Sequence, residues 1–244
     1  MKITNKKKEI KRITTCILTL LLLAASPVFG QNAMDYFNLG QNGSVTRKKI
    51  AYFTKALELD PGFAPAYEKR GLLHYFQGNY NEMIQDYETY LELAAAKPEA
   101  YRMLGIGYLK LGFYEPAVHN FGRAIEMEPK RGTAYAYRAE AYRLRGKDGE
   151  ALADANRAIK LRGDLRAKAD AYKTRAKLYW KVGRNQLAAA DLKASYRIDP
   201  RVPRWWRYFL NYASPEELRS AAPFFIVVIL FVVIFGLRLK PPQK

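Results

Sequence analysis

Ala100-Tyr101-Arg102-Met103-Leu104-Gly105-Ile106-Gly107-Tyr108-Leu109-Lys110-Leu111-Gly112 is one copy of a pattern that this chain repeats. Four residues after the tyrosine comes a small residue, three further on an aromatic, and four beyond that a glycine. The Ala-Tyr pair recurs as Ala66-Tyr67, Ala100-Tyr101 and Ala134-Tyr135 at steps of 34, then as Ala171-Tyr172 after a step of 37. The small residue is Gly71, Gly105, Ala139 or Ala176, the ring is His74, Tyr108, Tyr142 or Tyr179, and the glycine is Gly78, Gly112, Gly146 or Gly183. A fixed period in the thirties marks a chain of stacked supersecondary units. The small residue lets two helix backbones approach, and the glycine turns the chain between them.

The second half of each unit carries its own spacing. Ala117, Ala151 and Ala188 are followed seven residues later by Ala124, Ala158 and Ser195, with Phe121, Ala155 or Leu192 between them. Pro129 and Pro200 stop their units, and Pro61 stops an incomplete first one that keeps only its second half, Thr46 to Pro61, in good form. These residues resemble the tetratricopeptide repeat, with small residues at motif positions 8, 20 and 27, aromatics at 4, 11 and often 24, and proline at 32. Met83 and Tyr90 depart from the pattern in the second unit, Gly163 stands for the closing proline in the fourth, and three residues are inserted before the fifth.

The resemblance implies an all-α chain, a right-handed superhelical solenoid of antiparallel helix pairs in which no unit buries its apolar face alone. The expected organisation is a degenerate first repeat or N-terminal cap over 31–61, then four repeats at about 64–97, 98–131, 132–165 and 169–202. The tyrosines at positions 4 and 11, and His74 in the same slot, are expected to be core residues. His119 is expected on a helix surface.

Both ends read as membrane signals. Lys2, Lys6, Lys7, Lys8, Lys11 and Arg12 precede the apolar run Ile13 to Ala25 and a small-residue site ending at Gly30, so residues 1–30 are expected to be a signal peptide. At the other end Ala221 to Leu237 is uncharged and apolar on every side, with Arg219 before it and Arg238, Lys240 and Lys244 after it. A helix lying on a soluble domain leaves one face to water, so this run predicts a transmembrane helix over 221–239 with a cytoplasmic tail at 240–244. Basic flanks resist translocation. Both ends then point to the cytoplasm, and the repeats are expected on the extracytoplasmic side, in the periplasm of a bacterium. Residues 201–220 form a juxtamembrane cap in which Arg201, Arg204 and Arg207 interleave with Trp205, Trp206, Tyr208 and Phe209, as at a membrane interface.

Chemistry has little to work with. The only cysteine, Cys16, lies in the expected signal, and His74 and His119 are the only histidines. Disulfides, cysteine-bound zinc and thiol catalysis have no residues in a cleaved chain, and no phosphate loop or nucleophile motif occurs. The expected protein is no enzyme and carries no cofactor and no metal. Despite a formal charge of +18, the topology takes the repeats away from nucleic acid.

What remains is binding. If positions 3, 4, 7, 8 and 11 of each first helix face neighbours, the stripe at 2, 5, 9 and 12 is left exposed. In the family this stripe lines the concave groove that takes peptides. It reads Pro65, Glu68, Leu72, Tyr75; Glu99, Arg102, Ile106, Leu109; Thr133, Ala136, Glu140, Arg143; and Asp170, Lys173, Lys177, Trp180. Candidate ligand contacts are Glu68, Leu72, Tyr75, Arg102, Ile106, Leu109, Arg143, Lys173, Lys177 and Trp180. The four apolar members Leu72, Tyr75, Ile106 and Leu109 ask for a cover, and Lys173, Lys177 and Trp180 suit an acidic group with a stacking partner.

Charge is uneven along the chain. Residues 31–128 hold 10 basic and 12 acidic side chains, whereas 129–220 hold 22 basic and 10 acidic. The expected function is a membrane-anchored protein-interaction scaffold whose groove takes a protein or peptide segment. The alternative is a binder of anionic lipid headgroups or of an envelope polymer through the basic C-terminal repeats.

Overall fold

The computed structural model describes residues 32–161 and 164–201. The expected signal peptide, the Arg/Trp-rich juxtamembrane segment from 202 onward, the transmembrane run and the cytoplasmic tail lie outside the described residues. Among the described residues no helix is long and apolar enough to cross a membrane.

The described chain is helical throughout: α1 (Ala33–Asn42), α2 (Thr46–Leu59), α3 (Ala64–Gln77), α4 (Tyr80–Leu93), α5 (Pro98–Lys110), α6 (Tyr114–Met127), α7 (Gly132–Leu144), α8 (Asp148–Lys160), α9 (Leu165–Lys181) and α10 (Asn185–Ile198). It divides into two compact units at Ala96 and Lys97. In the first, α1 pairs with α2 and α3 with α4, and α2 also packs on α3. In the second, the pairs are α5/α6, α7/α8 and α9/α10. There α6 packs on α7 and α8 on α9, while the first helices α5, α7 and α9 touch in succession as one layer.

The first repeat is more complete than its sequence suggests. Its first half is the helix α1, started by Asn32, whose side-chain oxygen accepts the Asp35 N–H at 2.9 Å. The core of that unit gathers Phe37, Phe53, Ala56, Leu57 and Ala66, with Phe63 set edge-on to Phe37. The insertion before the fifth repeat lengthens α9 at its start. Asp164 caps the added turn by accepting the N–H groups of Arg166 and Ala167.

Gly78, Gly112, Gly146 and Gly183 all adopt positive φ, between 74° and 83°, at the turn inside each pair. Any other residue there strains the backbone, which is why the glycine recurs. Gly105 has a different reason. A Cβ at that position would sit 2.6 Å from the ring of Phe121, which is fully buried and stacked on Tyr137 at 5.7 Å. Elsewhere in the 97–201 unit small residues gather, with Ala136, Ala139, Ala155, Ala158, Ala167 and Ala171 forming one cluster.

The tyrosines of positions 4 and 11 are half-buried rather than core residues. Their faces carry arginines. Arg138 lies over Tyr135 and Tyr142, Arg175 over Tyr172 and Tyr179, and Arg70 over Tyr67, at 5.4 to 5.8 Å from the ring centroids. Each arginine also forms a two-pronged bond to an aspartate sixteen residues on: Arg70 to Asp86, Arg138 to Asp154, and Arg175 to Asp191. These ties join the two helices of a pair. The third repeat has Leu104 and Asn120 in those places, and Asn120 donates instead to the Pro116 carbonyl at 2.9 Å. His74 is half-buried, with Nε2 3.9 Å from Asp86 and Nδ1 buried without a hydrogen-bond partner.

Candidate functional site: a groove across three first helices

In the 97–201 unit the layer of first helices leaves a cleft of about 190 Å³. Ile106, Leu109 and Lys110 enter it from α5, Ala136, Tyr137 and Glu140 from α7, and Asp170, Lys173, Thr174 and Lys177 from α9. The cleft thus brings together four of the residues singled out in the sequence, Ile106, Leu109, Lys173 and Lys177. A smaller set in the first unit, Gly40, Gln41, Lys49, Phe53, Lys69, Leu72 and Leu73, lines a hollow of about 220 Å³ that includes Leu72.

Two corrections follow. The stripe is not evenly exposed: Ile106 is only 2% exposed, and Thr133 and Ala136 are buried as well. The three first helices pack side by side, and the residues of the stripe that face a neighbouring helix lose their exposure. The basic end is also not free. Lys173 Nζ donates to Asp199 at 2.8 Å and lies 3.7 Å from Asp170, and Lys177 Nζ donates to Glu140 at 2.9 Å. Asp170 is a neighbour on the same helix, Asp199 closes the second helix of the same repeat 26 residues on, and Glu140 comes from the preceding repeat 37 residues back, so a stripe read along one helix could not reveal the last two.

Glu140 is the centre of this rail. It accepts from Arg143 through both oxygens at 2.8 Å, from the Thr174 hydroxyl at 3.0 Å and from Lys177. Burial pushes its carboxyl upward, but the hydrogen bonds and charges of Arg143 and Lys177 outweigh it and hold the pKa at about 2. At the far end Arg201 bonds both Asp199 and Asp170. Hydrogen bonds from Arg201 and Lys173 keep the Asp199 carboxyl well below the usual range, against the opposing effect of burial. The groove charges are therefore fixed and mutually matched at neutral pH, around an apolar floor. Lys110, on the rim, forms no ion pair among the described residues.

The remaining candidates lie elsewhere. Arg102 is bound by Glu99 on its own helix, and Arg143 stands behind Glu140. Trp180 is half-exposed beyond the cleft. In the first unit Glu68 and Tyr75 are half-buried, the latter against Phe76 at 5.3 Å. The stripe missed Tyr137 and Thr174 at motif position 6 and Lys110 at position 13. A face wider than four positions per helix would have included them. A larger hollow, about 380 Å³, lies at the turn end between Leu152, Leu178, Tyr179, Val182 and Arg184 and holds none of the stripe. Among the described residues no group of three or more His, Cys, Asp or Glu could hold a metal ion. His119 is exposed on α6.

Stacked antiparallel helix pairs that line up their first helices around an apolar cleft define a repeat-built binding module. The chain belongs to the tetratricopeptide repeat family: models of that repeat match residues 64–97 and 102–171. It is 31% identical over 129 residues to human tetratricopeptide repeat protein 36, covering 52% of this chain and 68% of that one. Among solved structures it is similar to YrrB, a TPR protein with an unusual peptide-binding site, at 24% identity and a TM-score of 0.57 over 70% of this chain and 88% of the other. It also resembles MamA, at 20% identity and a TM-score of 0.61 over 76% and 97%. Tetratricopeptide repeat folds bind peptides or proteins in a groove.

Proposed function

We propose that this protein is a non-enzymatic scaffold that holds a segment of another protein in the groove of its 97–201 unit. The observation that carries the reading is the cleft itself, in which half-buried Leu109 and Tyr137, over buried Ile106 and Ala136, offer apolar surface to a side chain. Its rim charges already neutralise one another, so an apolar anchor supplies the affinity and the rail of Glu140, Lys173 and Lys177 orients the backbone. Lys110 is the cation open to an acidic residue of the ligand. Leu72, with Glu68 and Tyr75 on the same helix, would extend recognition in the first unit, and Arg102, Arg143 and Trp180 would flank the main cleft. The peptide site of YrrB is a precedent for binding on this fold.

The second half of the proposal is location. Residues 221–239 tether the scaffold by a single span, with the repeats extracytoplasmic, in the periplasm if the cell is bacterial, and the tail cytoplasmic. The support is the apolar run with its basic outer flank and the basic-apolar order of residues 1–30. A cut after Gly30 leaves Asn32 in place to cap α1. Confinement to a membrane raises the effective concentration of whatever the groove holds.

A photo-reactive amino acid at Leu109 of the full-length protein in cells should give discrete protein adducts that are absent when the probe stands at exposed Leu187. The same products from both positions would remove the groove from the account. A reporter inserted near residue 130 tests location, and activity of a cytosol-only reporter there would refute it.

A further inference from the structure

One end of the 97–201 unit collects cations that no carboxylate answers. Here α6, α8 and α10 finish and α7 and α9 begin. Its acids are all engaged. Glu126 binds Arg123 and Glu128 binds Arg131, Asp164 takes the first amides of α9 and the Thr133 hydroxyl, and Asp170 and Asp199 share Lys173 and Arg201. Lys130, Arg157, Lys160, Arg166, Lys168 and Arg197 form no ion pair among the described residues. At the opposite, turn end, Glu115, Asp148 and Glu150 engage Arg145, Lys181 and Lys147, and among the described residues Lys110 and Arg184 are left over there, with Lys193 unpaired midway along α10. The cationic surplus of the C-terminal repeats is therefore sorted to one end. Exposed Leu165 stands among these cations.

The chain leaves the described structure at this same end, at Arg201, and 19 residues separate it from Ala221. Nineteen residues reach about 28 Å as a helix and about 65 Å fully extended. A bilayer that holds 221–239 is thus never far from the surplus. We infer that this end of the unit lies against an anionic bilayer surface, with the six cations toward the headgroups and Leu165 at the apolar boundary. The inference rests on the proposed membrane span and adds an orientation to it. Each Lys or Arg near such a surface favours the docked state by about fivefold at physiological salt, and the attraction fades within a Debye length of about 8 Å.

The test uses the full chain with Cys16→Ser, reconstituted into vesicles of phosphatidylcholine alone or mixed equally with phosphatidylglycerol. A fluorophore is placed at Leu165→Cys or, at the turn end, at Val182→Cys, and brominated lipid serves as quencher. In anionic vesicles the label at 165 should be quenched several-fold more than the label at 182. The difference should vanish in neutral vesicles, in 1 M salt where screening acts within about 3 Å, and in a Lys160→Glu, Arg166→Glu, Arg197→Glu variant. Equal quenching at the two ends, or quenching at 165 that ignores lipid charge, overturns the inference. So does shielding of the 165 label by a soluble polyanion in preference to anionic lipid, which would assign this end to a polymer. Alkaline carbonate extraction separates the two readings: a chain that stays inserted but shows no quenching keeps its anchor and loses its orientation, and a chain that is extracted loses both.

Discussion

The tie between Arg138 and Asp154 can be tested against a replacement the protein already contains. The Asp154 side chain is 10% exposed and accepts two bonds from Arg138, at 2.6 and 3.0 Å, while the guanidinium sits over two tyrosine rings. Asp154→Ala leaves that guanidinium without its counter-charge. Losing one member of a buried pair costs about 3–5 kcal/mol, and since Arg138 is 21% exposed and can turn partly to water, the expected cost is about 3. The third repeat manages with Leu104 and Asn120, one repeat length earlier. Arg138→Leu with Asp154→Asn transplants that solution, because the new amide can donate to the carbonyl four residues back, as Asn120 does to Pro116. The double variant should lose only about 1 kcal/mol, since an apolar replacement of a buried pair is often close to neutral. The measurement is urea unfolding followed by far-ultraviolet circular dichroism, with unchanged m-values required because repeat arrays can unfold piecemeal. A double variant as unstable as Asp154→Ala would refute the account.

Other consequences can be measured in the same way. Glu140 titrates at about 2 when folded against an ordinary 4.5, so it contributes up to about 3 kcal/mol that is fully present above pH 4.5 and lost as pH falls toward 2. Stability should therefore climb with pH through that window, and Glu140→Gln should flatten the climb in urea titrations at successive pH values. Gly105→Ala pushes a methyl into the Phe121 ring and should cost about 1–3 kcal/mol. Phe121→Leu in the same chain should recover part of that loss, and calorimetric midpoints of the single and double variants would show whether it does. Asp164→Ala removes the cap of α9 and should cost about 1 kcal/mol, with faster amide exchange at Arg166 and Ala167.

Helix pairing was legible because it depends on local rules. The Ala-Tyr period, the small residue four positions on and the recurring turn glycine each state a backbone requirement within one unit, and the structure meets it at Gly78, Gly112, Gly146 and Gly183. Helix α1 was not legible, since the first repeat lacks the Ala-Tyr pair and helical fit is supplied by packing of Phe37 on Phe53 and Phe63. The Arg–Asp ties carried a usable signal, an arginine three residues after the tyrosine and an aspartate sixteen further on, that a search for small and aromatic positions passes over. The charge state of the groove was out of reach in principle. Lys177 meets Glu140 only after helices from two repeats have stacked, and Lys173 meets Asp199 only after the last helix pair has closed, so cations that look unclaimed along one helix are claimed by others.

Arg201 fastens the outgoing chain sideways to α9 as well as to the Asp199 cap of α10, through bonds to Asp170 and to both oxygens of Asp199. A pull on the tail is therefore carried laterally into a neighbouring helix before it can peel the last one from its end. Charge-assisted, bidentate bonds of this kind are among the stronger hydrogen bonds a protein makes. Traction from the C-terminal side should therefore leave the groove intact until the bonds of Arg201 give way.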